Sequence, residues 1–159
     1  MGLDMYLETE DYIGGWDHSK DERYSAVLDV LGVSTDDITP DAPSIRVSYN
    51  VAYWRKANAI HRWFVERVQD GKDECQSSYV AREQLVELRN VARAALALYQ
   101  AGNKNAVAQL LPPQTGFFFG STEVDDWYAE DLDSTVKQLT TVLNNPRWKD
   151  SSFYYRASW

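Results

Sequence analysis

A chain of 159 residues with 44% hydrophobic and 13% aromatic side chains, six Trp and ten Tyr among them, has enough apolar area to fold as a single domain over residues 1–159. Sixteen Lys and Arg against 24 Asp and Glu leave a net charge of −8, which repels nucleic-acid phosphate at long range and disfavours general DNA or RNA binding. One cysteine, Cys75, excludes an internal disulfide and a thiolate zinc knuckle; the acidic start MGLDMYLETED lacks a secretory signal's profile, and no run approaches 18 apolar residues, so a cytoplasmic protein that spans no membrane is expected.

The opening Met-Gly begins a myristoylation-like pattern, but Tyr6 stands where Ser or Thr is needed. LDMYL, residues 3–7, has the length and composition of a strand that ends at ETED, and the turn-rich YIGGWDHSKDE after it reads as a loop. In RYSAVLDVLG the apolar positions 24, 27, 28 and 31 recur at helical spacing, with Gly32 as the stop. STDDITPDAPS is an exposed connection, and IRVSYNV alternates as an edge strand or as an extended lead-in to the next helix.

Three long helices follow from periodicity. The first covers 53–69 and closes at the QDGKD turn; the second runs over 79–101 with Leu85, Leu88, Ala92, Ala95 and Tyr99 on one stripe; the third spans about 122–144, with Tyr128, Leu132, Thr135, Leu139 and Leu143 on one face and Pro146 blocking continuation. Between the last two, NKNAVAQLL holds a short helical piece stopped at Pro112, and GFFFG suits a buried central strand. SFYYRASW closes the chain as a strand. The expected fold is α+β, three long helices packed on a small, mostly antiparallel sheet of short aromatic strands.

The segment YWRKANAIHRWF raises the functional question. At about 100° per residue, Trp54, His61 and Val65 fall on one line of the first helix, Asn58 lies beside them, and Arg55 and Arg62 form the next ridge. Asn58 and His61 inside an apolar stripe either tie the core together through hydrogen bonds or line a ligand pocket. Residues 53–67 hold Arg55, Lys56, Arg62 and Arg67 against Glu66, a local +3 in an acidic chain. Guanidinium groups beside Trp and Tyr suit a small anionic aromatic ligand such as a nucleotide, so the candidate binding set is Trp54, Arg55, Asn58, His61 and Arg62, with Tyr49 or Tyr154 to stack.

GSTEVDDWYAEDLD, residues 120–133, carries six acids and no base; Ser121 or Thr122 caps the helix there, and acids in a first turn complement its dipole. Asp125 lies nearest the buried face and is the acid placed to pair with Arg55, Arg62 or His61. The spacing fits no calcium loop, and no phosphate-binding, dinucleotide, zinc-protease or serine-hydrolase motif occurs, so no metal or cofactor is expected. His18 and His61 are the histidines available for acid–base chemistry, and Cys75 sits in a charged turn with nothing to activate it.

MGLDMYL, YWRKANAIHRWFV, GFFFGSTEVDDWY and FYYRASW resemble a family of small proteins encoded by bacteriophages and prophages. The resemblance implies a one-domain accessory protein in the bacterial host's cytoplasm and carries no catalytic residues over. Accessory proteins of this size often act by binding, either blocking a host protein or sequestering a nucleotide in counter-defence, and the second suits the candidate site. Two alternatives stand beside it: an inhibitor that meets a host protein through the acidic 120–133 segment, and a small hydrolase using His61. Exposed aromatic segments are also compatible with a homodimer.

Overall fold

The computed structural model describes residues 2–16, 21–38 and 43–159. His18 and residues 39–42 of the connection before IRVSYNV lie outside them. The class is α+β: strands β1 (Asp4–Gly14), β2 (Ser44–Arg55), β3 (Ser78–Val80) and β4 (Phe153–Ser158), and among the described residues five α-helices, α1 (Arg23–Leu31), α2 (Asn58–Arg67), α3 (Arg82–Gln100), α4 (Lys104–Leu110) and α5 (Asp126–Asn144). The strands form one antiparallel sheet in the order β2-β1-β4-β3. β1 pairs with β4 from Asp4↔Ser158 to Thr9↔Phe153, and β3 pairs with β4 from Ser78↔Tyr155 to Val80↔Phe153.

Residues 2–9 and 50–159 form one compact unit. Its sheet has a two-residue period of burial: Leu3, Met5, Leu7 and Thr9, with Phe153, Tyr155 and Ala157 opposite, point into the core, while Tyr6, Glu8, Tyr154 and Arg156 alternate away. Helices α2, α3 and α5 cover that face with Ile60 and Phe64, with Leu85, Leu88, Ala92 and Ala95, and with Leu132, Leu139 and Val142. The alanines of α3 let it pack closely on α5 and α4. Phe64 stacks on Tyr155 with centroids 3.8 Å apart.

β2 is an edge strand, and its outer side is closed at Tyr53 by a side chain. Gln138 of α5 accepts from the Tyr53 N–H at 2.8 Å and donates to the Tyr53 carbonyl at 2.9 Å, as a neighbouring strand would.

The second compact unit, residues 10–49, has its own small core of Ile13, Tyr24 and Leu28, flanked by Val27, Ile38, Ile45 and Val47. Gly32 ends α1 at φ +65, as its place after the last apolar position predicts. In the connection that follows, Thr35–Asp37 forms a 3₁₀ turn capped reciprocally by Ser34 and Asp37.

Several expectations are corrected. The first strand does not stop at ETED; it runs to Gly14. The helix expected over 53–69 begins at Asn58, because β2 carries its alternation through Trp54 and Arg55 before Lys56 turns the chain at φ +59. Three long helices therefore become two of 19 residues and one of 10, with two short ones besides. Tyr79 lies in β3, so the second helix begins at Arg82. GFFFG is a turn rather than a central strand: only Phe119 is buried, and Phe117 is 93% exposed.

Candidate functional site

Asn58 is the first residue of α2, and its amide is spent entirely on main chain. Nδ2 donates to the carbonyls of Phe119 at 3.1 Å and Ser121 at 2.7 Å, and Oδ1 accepts from the Gln114 N–H at 3.2 Å. This clamps the 114–121 segment onto the start of the helix. Within that segment Gly116 is needed for close approach, since a Cβ there would stand 2.5 Å from the Phe119 ring. Phe119 in turn presents its ring at right angles to the imidazole of His61, centroids 5.1 Å apart.

The clamped segment forms one wall of a cleft of about 350 Å³. Arg55, Lys56, Asn58, Ala59 and Ile60 line it from the end of β2 and the start of α2; Gly120, Ser121, Glu123 and Asp125 line it from the connection before α5; Trp127, Tyr128, Glu130, Asp131 and Leu132 complete it from the first turns of α5. Lys56 holds left-handed backbone while its N–H donates to the Leu3 carbonyl at 2.8 Å. Such strain in a residue without glycine's freedom is tolerated where the surroundings over-determine it.

The electrical character of the cleft is acidic: Arg55 and Lys56 face Glu123, Asp125, Glu130 and Asp131, two cations against four carboxylates. Burial, with Glu130 and Asp125 nearby adding repulsion, pushes the Asp131 carboxyl up to about 7. Burial likewise raises the Tyr128 phenol, whose hydroxyl donates to the Leu111 carbonyl. Asp125 is the N-cap of α5, accepting from the Tyr128 N–H at 3.0 Å, so the capping role expected of Ser121 or Thr122 belongs to it.

His61 belongs to a different assembly. It is fully buried; Nδ1 lies 2.7 Å from the Tyr155 hydroxyl and Nε2 lies 2.9 Å from Asp73 Oδ2. Burial first, then the neighbouring Asp73 and Cys75, holds the Tyr155 phenol well above its ordinary range, so it remains a donor to Nδ1. With Nδ1 accepting from Tyr155, the neutral imidazole carries its proton on Nε2, which donates to Asp73 Oδ2. Asp73 also accepts from Trp159 Nε1 at 3.1 Å and from Gln114 Nε2 at 3.5 Å. The chain joins β4, α2, the turn after α2 and the 114–121 segment without reaching the cleft.

Of the residues chosen from the sequence, the structure brings Arg55, Asn58 and Asp125 together at the cleft and sends the others elsewhere. Trp54 is a core residue of β2 whose Nε1 donates to Thr135 Oγ1 at 2.9 Å. Arg62 pairs with Glu66 at 2.6 Å and lines a smaller pocket of about 120 Å³. Tyr154 meets Tyr79 edge-on, centroids 6.0 Å apart. Tyr49 lies in the second unit, where its hydroxyl donates to Asp11 at 3.2 Å. The pairing expected of Asp125 with Arg55, Arg62 or His61 does not form: its carboxylate makes no ion pair within 4 Å among the described residues, because the cap holds it at the helix end.

Sequence reasoning missed Lys56, Trp127 and Asp131 at the cleft, and Asp73, Tyr155 and Gln114 in the buried chain. For Tyr155 a signal existed, since alternation in FYYRASW places it on the Phe153 face and Tyr154 on the other. Among the described residues no three carboxylate, imidazole or thiol side chains converge as a metal-binding group, and no helix is long and apolar enough to cross a membrane. No family model, curated protein or solved structure matches the chain.

Proposed function

We propose that the chain is a small accessory binding protein that holds a ligand, or one side chain of a partner, in the cleft between the start of α2 and the first turns of α5, without turnover. The observation that carries this reading is the cleft itself. Its volume of about 350 Å³ matches the scale of small-molecule sites, and its wall is fixed in advance by three hydrogen bonds from one buried amide. Preformed walls lower the ordering cost of binding. The hydrolase alternative through His61 has less support, because both ring nitrogens are engaged and the imidazole is fully buried. A nucleotide would lean on Arg55 and Lys56; a host protein would meet the acidic 120–133 segment, and that segment lines the same cleft.

Thermal shift against a panel of nucleotides and organic cations tests the reading. A binder at a hundred times its Kd stabilises the folded state by about 2.7 kcal/mol, which raises Tm by about 5–11 °C for a chain of this size. Ser121→Trp fills the cleft from an exposed position and should abolish the shift. A shift that survives this substitution undiminished, or no shift with any compound, refutes a ligand in this cleft.

A further inference from the structure

The first turns of α5 place Trp127, Glu130 and Asp131 at i, i+3 and i+4, so an indole and two carboxylates share one helix face, and all three line the cleft. Trp127 is 75% exposed, so the face of its indole is open to a ligand in the cleft. Among the described residues the carboxylates of Glu123, Glu130 and Asp131 make no hydrogen bond or ion pair, whereas Asp126 and Asp133, on the same helix but outside the cleft, are taken up by Tyr99 and Lys137. A half-buried carboxylate beside two like charges is relieved either by a proton or by a cation. Arg55 and Lys56 stand across the cleft and form no ion pair with any of them within 4 Å.

On the reading of this cleft as a ligand site, we infer that its ligand is a guanidinium group, stacked on the Trp127 indole and hydrogen-bonded at its edge by Glu130 and Asp131, with Glu123 at the mouth. A planar cation with a fork of N–H donors suits this set better than a compact ammonium does, because it can lie on an aromatic face and serve two carboxylates at once. The same group comes from a free small molecule or from an arginine side chain of a partner. The charge at the site disfavours an anion, since Arg55 and Lys56 are outnumbered by Glu123, Asp125, Glu130 and Asp131. A cation also favours the ionised form of Asp131, so binding near pH 7 releases a proton, and affinity falls as pH drops below 7. The groups that share this balance are Glu123, Asp125 and Glu130 on the α5 side, Arg55 and Lys56 on the β2 side, and the Tyr128 phenol.

Titration calorimetry with agmatine, an arginine-bearing tripeptide, butylamine and AMP separates the outcomes. Either guanidinium compound should bind more tightly than butylamine, and the two report whether a small molecule or a peptide side chain is preferred. Asp131→Asn, or Glu130→Gln if the first variant fails to fold, should weaken the guanidinium by about tenfold or more. The proton release seen across buffers of different ionisation enthalpy should vanish in Asp131→Asn. Arg55→Ala removes a competing cation and should tighten guanidinium binding. If AMP binds instead and Arg55→Ala weakens it, the guanidinium inference falls while the cleft remains a binding site. If neither guanidinium compound binds, the inference falls; if Ser121→Trp also leaves the binding of every compound unchanged, the cleft reading falls with it.

Discussion

Tyr155→Phe isolates the buried chain with one atom removed. The hydroxyl donates to His61 Nδ1 at 2.7 Å in a fully buried position, and the ring stacks on Phe64 at 3.8 Å. Phenylalanine keeps the stack and leaves Nδ1 an acceptor with no donor, because Nε2–H is committed to Asp73 at 2.9 Å. A buried polar atom left without its partner costs about 1–3 kcal/mol, or a fall in Tm of about 2–12 °C for a chain of 159 residues. Urea unfolding followed by far-UV circular dichroism measures it, with Tyr154→Phe as the control, since Tyr154 points off the other face and should stay within about 0.5 kcal/mol. Combining Tyr155→Phe with Asp73→Asn should show a coupling of about 0.5–2 kcal/mol, since both partners orient one imidazole. A Tyr155→Phe protein as stable as the parent, with no coupling to Asp73, would refute the chain as a structural unit.

Asn58→Ala strips the donors from Phe119 and Ser121 and the acceptor from Gln114, so it should cost about 2–4 kcal/mol, and hydrogen exchange at Gln114 should accelerate. Asp131 has its folded pKa raised from 3.8 to about 7, so the unfolded chain loses its proton first and stability falls as pH rises from about 4 to about 7, levelling off above that. Asp131→Asn should flatten this slope and gain about 1–2 kcal/mol at pH 7.5, after discounting for solvent at the cleft mouth, as read from denaturation midpoints across pH. Lys56→Gly suits the left-handed backbone at φ +59 and should leave stability level or raised by up to about 1 kcal/mol, measured by the same unfolding curves.

The two 19-residue helices were legible because several turns repeat one apolar stripe: Leu85, Leu88, Ala92 and Ala95 are fully buried, as are Leu132, Thr135 and Leu139 to within 1%. Short elements carry too few repeats to separate one period from another. Trp54 falls in line with His61 and Val65 on a helical count, yet it also continues the strand alternation of β2, and the strand prevails because Trp54 can reach Thr135 and Gln138 can close the edge at Tyr53. GFFFG has strand composition, but the left-handed φ of +88 at Gly120 and the demand of Asn58 for the Phe119 and Ser121 carbonyls bend it into a turn. Asp73 left no trace in the sequence at all. It reaches His61 only because Asp70, Gly71 and Cys75 take positive φ and fold the turn after α2 back on itself.

Asn58 and His61 pose a choice in the sequence between holding a core together and lining a pocket, and the structure shows that for Asn58 the two are one act. The amide that ties α2 to the 114–121 segment is the reason Gly120 and Ser121 stand where they form a wall, and Asn58 itself lies in that wall. His61, three residues on, braces the same segment from behind through Phe119 and through Asp73, which also accepts from Gln114. Loss of the imidazole should therefore loosen the cleft without removing any group that faces it. His61→Ala should weaken a cleft ligand through a faster off-rate, with its guanidinium-over-ammonium preference intact; loss of that preference would place His61 in contact with the ligand and overturn this division of labour.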